Sequence, residues 1–139
     1  MSTKIRTAEE TATSGVLAEI HSERARQTAK HGDQSHLPDG TGPLSTPLRG
    51  IVFTGPVVPE NGCTKYAYGL AMLAKSSTDH RSQSAGDGTV TYADILLEEV
   101  FEAIAEDDQD LLRAELIQVA AVAVQWVETI DRRRADVTQ

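Results

Sequence analysis

The fold is decided by residues 91–134, which read TYADILLEEVFEAIAEDDQDLLRAELIQVAAVAVQWVETIDRRR. Thr91 or Asp94 can cap a helix at its start, and the apolar residues that follow recur at helical spacing to about Glu106. Asp108 can cap a further helix, which the pattern extends to about Arg134. Because the turn between the two segments is short, we expect them to form an antiparallel helical hairpin.

The second helix of this hairpin is apolar on nearly every side at its centre. Residues 116–127 contain only two polar side chains, Gln118 and Gln125. Such a helix is normally buried on most sides, and a domain of 139 residues can hardly cover a whole helix by itself. We therefore expect a second chain to cover part of it.

Two more helices are predicted outward from the hairpin. The first begins after a cap at Ser14 and ends at Gly32, and residues 1–13 before it are expected to form a tail. The second runs from Thr64 to about Ser76, where apolar residues again recur on one side.

A long connection separates these two helices. Residues 33–63 contain all five prolines of the chain and half of its ten glycines. A loop longer than about 12–15 residues is usually functional or disordered, so we expect this one either to fold over a site or to be mobile. Residues 78–88 are expected to form a second, polar loop. The predicted fold is a single all-α domain over residues 1–139, an antiparallel bundle of about four helices completed by dimerisation.

Composition restricts the class of protein. The formal net charge is -8, which disfavours binding to a nucleic-acid backbone because few cations are available to replace its counterions. Cys63 is the only cysteine and cannot form an intramolecular disulfide, which favours a reducing compartment. Neither a secretory signal nor a membrane-spanning stretch is evident. We expect a soluble, cytoplasmic protein that does not bind nucleic acid or membrane.

Acidic residues are concentrated in the hairpin. Between Asp94 and Glu115 there are nine acidic residues and one basic residue. Glu98, Glu99 and Glu102 have the spacing of one helix face, and the short turn allows Glu102 to face Glu115 on the next helix. Carboxylates held this close either take up protons or hold a cation, and Mg²⁺ prefers oxygen ligands. The alternative is an acidic face exposed to solvent.

The same residues resemble a family motif. The all-α nucleoside triphosphate pyrophosphohydrolases of the MazG-like group carry EExxE on one helix and ExxD on the next. Here the first motif is Glu98-Glu99-Val100-Phe101-Glu102, and the second is Glu115-Leu116-Ile117-Gln118, with Gln in place of Asp. The resemblance covers residues 91–130.

This resemblance implies a function and a set of site residues. Glu99, Glu102, Glu115 and Gln118 would ligate Mg²⁺, with Mn²⁺ as a possible substitute, and Glu98 would orient the attacking water or add a ligand. The implied reaction is hydrolysis of a nucleoside triphosphate, ribo or deoxy, to the monophosphate and pyrophosphate. The implied assembly is a homodimer or a dimer of dimers.

Gln118 keeps other functions open. Its side chain is neutral and can present either an oxygen or an NH₂ group, which would weaken metal binding. The first alternative is a non-catalytic regulator that binds nucleotide or metal on the same fold, and the second is a helical protein-interaction module.

A basic cluster at the end of the first helix completes the set of candidates. Arg26 and Lys30 are the residues we expect to bind substrate phosphates, and a solvated helix face is the alternative. Trp126 lies in the apolar run and is expected to pack in the core or at an interface rather than to stack on a base.

Overall fold

The computed structural model describes residues 7–43, 63–83 and 90–139, and in these ranges the chain has four helices and no strand. The helices are α1 (Ala8–His31), α2 (Cys63–Gln83), α3 (Tyr92–Ala105) and α4 (Gln109–Val137). The all-α prediction is therefore confirmed for these residues. Residues 44–62 of the long connection lie outside them.

The first helix begins earlier than predicted. The Thr7 hydroxyl accepts a hydrogen bond from the Glu10 backbone N–H at 3.1 Å, and the Thr7 N–H donates to the Glu10 carboxylate at 2.8 Å. This reciprocal capping box starts α1 at Ala8, so the predicted cap at Ser14 is wrong and residues 8–13 are helical rather than part of a tail. Thr7 is followed three residues later by a glutamate and Ser14 is not, so only Thr7 can form the capping box that starts the helix.

The second helix is longer than predicted. It continues through Gln83 instead of ending near Ser76, so residues 78–83 of the predicted loop are helical. Ser77 is only 3% exposed, and α2 packs closely along α3. Tertiary packing thus extends the helix through residues 78–83, where the polar sequence by itself indicates a loop.

The predicted caps of the hairpin are confirmed. Thr91 is the N-cap of α3, and Asp94 completes a capping box with it. Asp108 is the N-cap of α4 and accepts hydrogen bonds from the backbone N–H groups of Asp110 and Leu111, both at 3.0 Å. These side chains satisfy N–H groups that would otherwise lack partners at each helix start.

The helices do not all alternate in direction. α3 is antiparallel to α4, as predicted, but α1 runs parallel to α4: Glu19 pairs with Arg113 near the start of α4, and Arg24 pairs with Glu128 near its end. Lys75 of α2 acts on Glu102 as well as on Glu98, whereas Thr78 and Asp79, one turn later on α2, act on Glu98, so α2 is antiparallel to α3. α1 and α2 therefore point the same way.

Small side chains dominate the part of the core that is most buried. Fully or nearly buried apolar residues are mostly alanines, on α2, α3 and α4. Small residues let helix backbones approach closely, and α2–α3 is the most extensive helix contact. α1 packs against α4 without burying any residue completely.

The described start of the long connection, residues 33–43, packs on the hairpin. The carbonyls of Pro38 and Asp39 accept hydrogen bonds from the first N–H groups of α3, both at 3.0 Å. The Asp39 carboxylate accepts from Trp126 Nε1 at 2.6 Å and from Arg133 at 2.8 Å. Trp126 also stacks on Tyr92, with ring centroids 5.5 Å apart. Trp126 therefore packs inside the domain, as predicted.

Candidate metal centre

Two capped helix starts set the positions of the acidic residues. The capping box at Thr91 fixes the register of α3, and the cap at Asp108 fixes that of α4. Between them, the Glu106 carboxylate accepts hydrogen bonds from the N–H groups of Asp107 and Asp108, both at 3.0 Å, which tightens the turn. The end of α3 and the start of α4 are thereby held side by side.

Three predicted ligands come together across this hairpin. One carboxylate oxygen each from Glu99, Glu102 and Glu115 lies within 4.8 Å of the other two. All three side chains are half-buried at the seam between α3 and α4. The prediction that Glu102 faces Glu115 is confirmed.

The carboxylates of this cluster are difficult to ionise together. Burial, together with the neighbouring charges of Glu102, Glu98, Glu115 and Glu23, raises the pKa of Glu99 to about 7. Burial also raises the pKa of Glu102, with Glu115 as a second cause. At neutral pH the cluster therefore favours either a bound proton or a cation.

An unsatisfied oxygen supports the fit of a cation. Glu99 Oε2 is buried and has no hydrogen-bond partner. A buried acceptor without a donor is costly, and a hard divalent ion would satisfy it while also offsetting the charges of the two neighbouring carboxylates. An all-oxygen set of this kind is what Mg²⁺ prefers.

Glu98 lies next to the cluster, on the side of α3 that faces α2. Burial raises the pKa of its carboxyl, while a hydrogen bond from Thr78 lowers it; Lys75 and Asp79 of α2 are further neighbours. Its charge acts on Glu99, but its oxygens are not part of the group of three. It is positioned beside the cluster rather than within it.

Gln118 lies at the edge of the cluster and donates a hydrogen bond to it. Its Nε2 donates a hydrogen bond to Glu115 Oε2 at 3.3 Å. Rotation of the amide would present the oxygen instead. Gln118 is thus one turn after Glu115 and in contact with it, but contributes no negative charge.

The two predicted phosphate-binding residues are placed differently. Arg26 pairs with Glu23 at 2.5 Å, and its side chain is 68% exposed. It lines a groove of about 480 Å³ between α1 and α4, together with Arg113 and Gln118. Lys30 is exposed in the last turn of α1 and does not line this groove.

Sequence reasoning missed Glu23 and Arg113. Glu23 lies far from the hairpin in sequence, and only the packing of α1 on α4 brings its charge to Glu99. Arg113 spans the groove by bonding Glu19 through both terminal nitrogens, at 2.7 and 2.8 Å. An available signal was the helical spacing of Glu19, Glu23 and Arg26, which places them along one side of α1.

Comparison with known proteins finds no match. No protein-family model matches the chain, and neither the curated proteins nor the solved structures include a match. Among the described residues, no helix is both long and apolar enough to cross a membrane.

Proposed function

We propose that this protein hydrolyses a nucleoside triphosphate, ribo or deoxy, to the monophosphate and pyrophosphate, with Mg²⁺ or Mn²⁺ as cofactor. The proposal depends above all on one observation: carboxylate oxygens of Glu99, Glu102 and Glu115 lie within 4.8 Å of one another at a half-buried seam. The motif resemblance of residues 98–102 and 115–118 supports the choice of reaction.

Each acidic residue has a role in this proposal. Glu99, Glu102 and Glu115 would hold the cation, which when bound offsets charge on the substrate phosphates and polarises the phosphoryl group. Glu98, beside the cluster, would orient a water toward the α-phosphorus and accept its proton. The α–β phosphoanhydride bond would break, and pyrophosphate would leave. Arg26 in the groove, and Lys30 after repositioning, would bind phosphate oxygens.

The burial of the cluster argues against a purely solvated acidic face. Exposed carboxylates on a helix keep ordinary pKa values, whereas burial raises those of Glu98, Glu99, Glu102 and Glu115. Desolvating several like charges has a cost that a ligand-free surface would not need to bear. This favours a binding site over an interaction module.

One observation favours a second candidate, a non-catalytic regulator that binds nucleotide or metal. Gln118 directs its NH₂ group at Glu115. A donor at this place satisfies a carboxylate oxygen that would otherwise be available to a cation, and the site has one negative charge fewer than an Asp would supply. Such a site could bind nucleotide without turning it over.

Pyrophosphate release distinguishes these candidates. The full chain would be assayed with a panel of ribo- and deoxyribonucleoside triphosphates, with Mg²⁺ or Mn²⁺, as wild type, as Glu102→Ala and as the exposed control Glu9→Ala. Metal-dependent release that is lost only in Glu102→Ala would support the enzyme. If no triphosphate releases pyrophosphate, the enzyme is ruled out. Calorimetry would then separate a regulator, which binds nucleotide or metal, from a protein that binds neither.

The proposal extends to assembly and compartment. α4 leaves Leu116, Val124 and Val127 exposed by 52%, 38% and 57%, and α1 exposes Val16 and Leu17 as well. We propose that a second copy covers this apolar surface in a homodimer, or in a dimer of dimers; a monomer in sedimentation at micromolar concentration would contradict this. The single cysteine supports a reducing, cytoplasmic location.

A further inference from the structure

The outward face of α4 carries an apolar stripe. Leu116 and Val127 are 52% and 57% exposed, and Ala123 between them is exposed as well. Together with Ala120 and Ile130, these residues recur at alternating spacings of four and three, the pattern by which one helix packs along another. Removing exposed apolar surface from water is favourable, so the stripe is suited to a partner helix.

One charged residue stands at each end of this stripe. Arg113 precedes it and Asp131 follows it, and both are exposed. Their positions differ by 18 residues, which is about five turns of a helix, so they lie on the same side of α4 and about 27 Å apart. The charged residues between them point elsewhere, because Glu115 faces α3 and Glu128 pairs with Arg24 of α1.

The stripe is symmetrical about its centre. Its residues match in size, or are opposite in charge, at nearly equal distances from residues 121–122: Arg113 with Asp131, Leu116 with Val127, and Ala120 with Ala123. A two-fold axis at this point, perpendicular to α4, would bring large side chains together on either side of the centre and opposite charges together at both ends. The small side chains at the centre would allow the two helices to approach closely. Complementarity of size and charge therefore selects a second copy of this chain as the partner.

We propose that α4 packs antiparallel on α4 of a second copy across this axis, with Arg113 of each chain paired to Asp131 of the other. The inference rests on the homodimer of the proposed function and assigns its interface. Two N–H donors of Arg113 bond Glu19, and a guanidinium has five, so Arg113 can bond α1 and the second copy together. Because Arg113 lines the groove between α1 and α4, the interface borders that groove.

Charge reversal tests the pairing between the chains. The dissociation constant of the dimer would be measured by sedimentation equilibrium for the full chain as wild type, Asp131→Arg, Arg113→Asp and the double variant. We expect Asp131→Arg to weaken the dimer by on the order of tenfold, because it makes two attractive pairs repulsive, and we expect the double variant to recover most of the affinity. Since the two positions are about 27 Å apart along one helix, recovery requires contact between chains.

A matched control separates this pairing from a general effect of charge. Asp136→Arg makes the same change near the same end of α4, but five residues after Asp131 and therefore on another side of the helix. It should leave the dissociation constant unchanged. A double variant that dimerises no better than Asp131→Arg overturns the proposed pairing.

A charge at the centre of the stripe tests the interface itself. Ala123 is exposed in the single chain, so Ala123→Glu should leave the fold intact, which circular dichroism melting checks. It would place two carboxylates close to the axis, and we expect the dimer to weaken by at least on the order of a hundredfold. An unchanged dissociation constant overturns the α4 interface. If Ala123→Glu does not fold, the charge-reversal series decides by itself.

These experiments distinguish failure of this inference from failure of the proposed function. A dimer that Ala123→Glu and Asp131→Arg leave intact removes the α4 interface and retains the homodimer. A wild-type chain that is monomeric at micromolar concentration removes both. Hydrolysis is decided separately, by the release of pyrophosphate in wild type and its loss in Glu102→Ala.

Discussion

Replacing Glu99 by glutamine is expected to stabilise the metal-free protein at alkaline pH. The side chain keeps its size and loses its charge. The folded-state pKa of Glu99 is about 7, above the ordinary value of 4.5, so the folded protein binds this proton more tightly than the unfolded chain does. Below about pH 4.5 both states carry the proton, and Glu99 has no ionisation cost. The free energy of unfolding falls between pH 4.5 and 7, and the full cost of ionising Glu99 in the folded state is present above pH 7.

The size of the effect follows from the pKa. One pKa unit corresponds to 1.36 kcal/mol, which gives about 3 kcal/mol for a wholly buried group. Because Glu99 is only partly buried, we expect roughly 2 kcal/mol after allowance for screening. For a domain of this size that corresponds to a rise in Tm of roughly 5–10 °C at pH 8.

Urea unfolding and thermal melting in EDTA would measure this, at pH 4.5, 6 and 8. We expect Glu99→Gln to match wild type at pH 4.5 and to exceed it at pH 8. The control Glu9→Gln removes an exposed carboxylate from the first turn of α1 and should lower stability by less than about 1 kcal/mol. If Glu99→Gln is no more stable than wild type at pH 8, the assigned burial of charge is refuted.

Three further predictions concern the scaffold. Gly40→Ala should lower the free energy of unfolding by roughly 2–3 kcal/mol, measured by urea denaturation, because Gly40 has a φ of +73° and a Cβ would lie 2.3 Å from Thr91 Oγ1. Trp126→Phe removes the indole donor to Asp39 and should cost about 1 kcal/mol, measured by circular dichroism melting. Arg113→Ala removes an exposed ion pair with α1, so it should change Tm little, and any change should vanish in high salt.

Gly15→Ala is the control for the glycine prediction. A Cβ at Gly15, inside α1, meets nothing within 4 Å, so this change should stabilise the helix by about 1 kcal/mol. If Gly40→Ala behaved in the same way, the packing of residues 33–43 against α3 would be contradicted. A Tm loss in Arg113→Ala that survives high salt would show that Arg113 does more than form a surface pair.

Local chemistry made the hairpin predictable. Thr91, Asp94 and Asp108 carry cap-type side chains immediately before amphipathic runs, and the short turn forces the two helices together. The same local rules placed Glu102 opposite Glu115. The same rules predicted the wrong start for α1. Thr7 is followed three residues later by Glu10, with which it forms a capping box, whereas Ser14 has no such partner.

Tertiary structure decided what lies far apart along the chain. The sequence by itself determined the all-α class, the hairpin and the approach of Glu102 to Glu115, because each depends on contacts within a few turns. Only the packing of α1 parallel to α4 brought Glu23 to Glu99 and formed the groove with Gln118. Helix periodicity shows which face of α1 is available, but the direction in which one helix docks on another depends on the whole set of contacts, which no local pattern encodes.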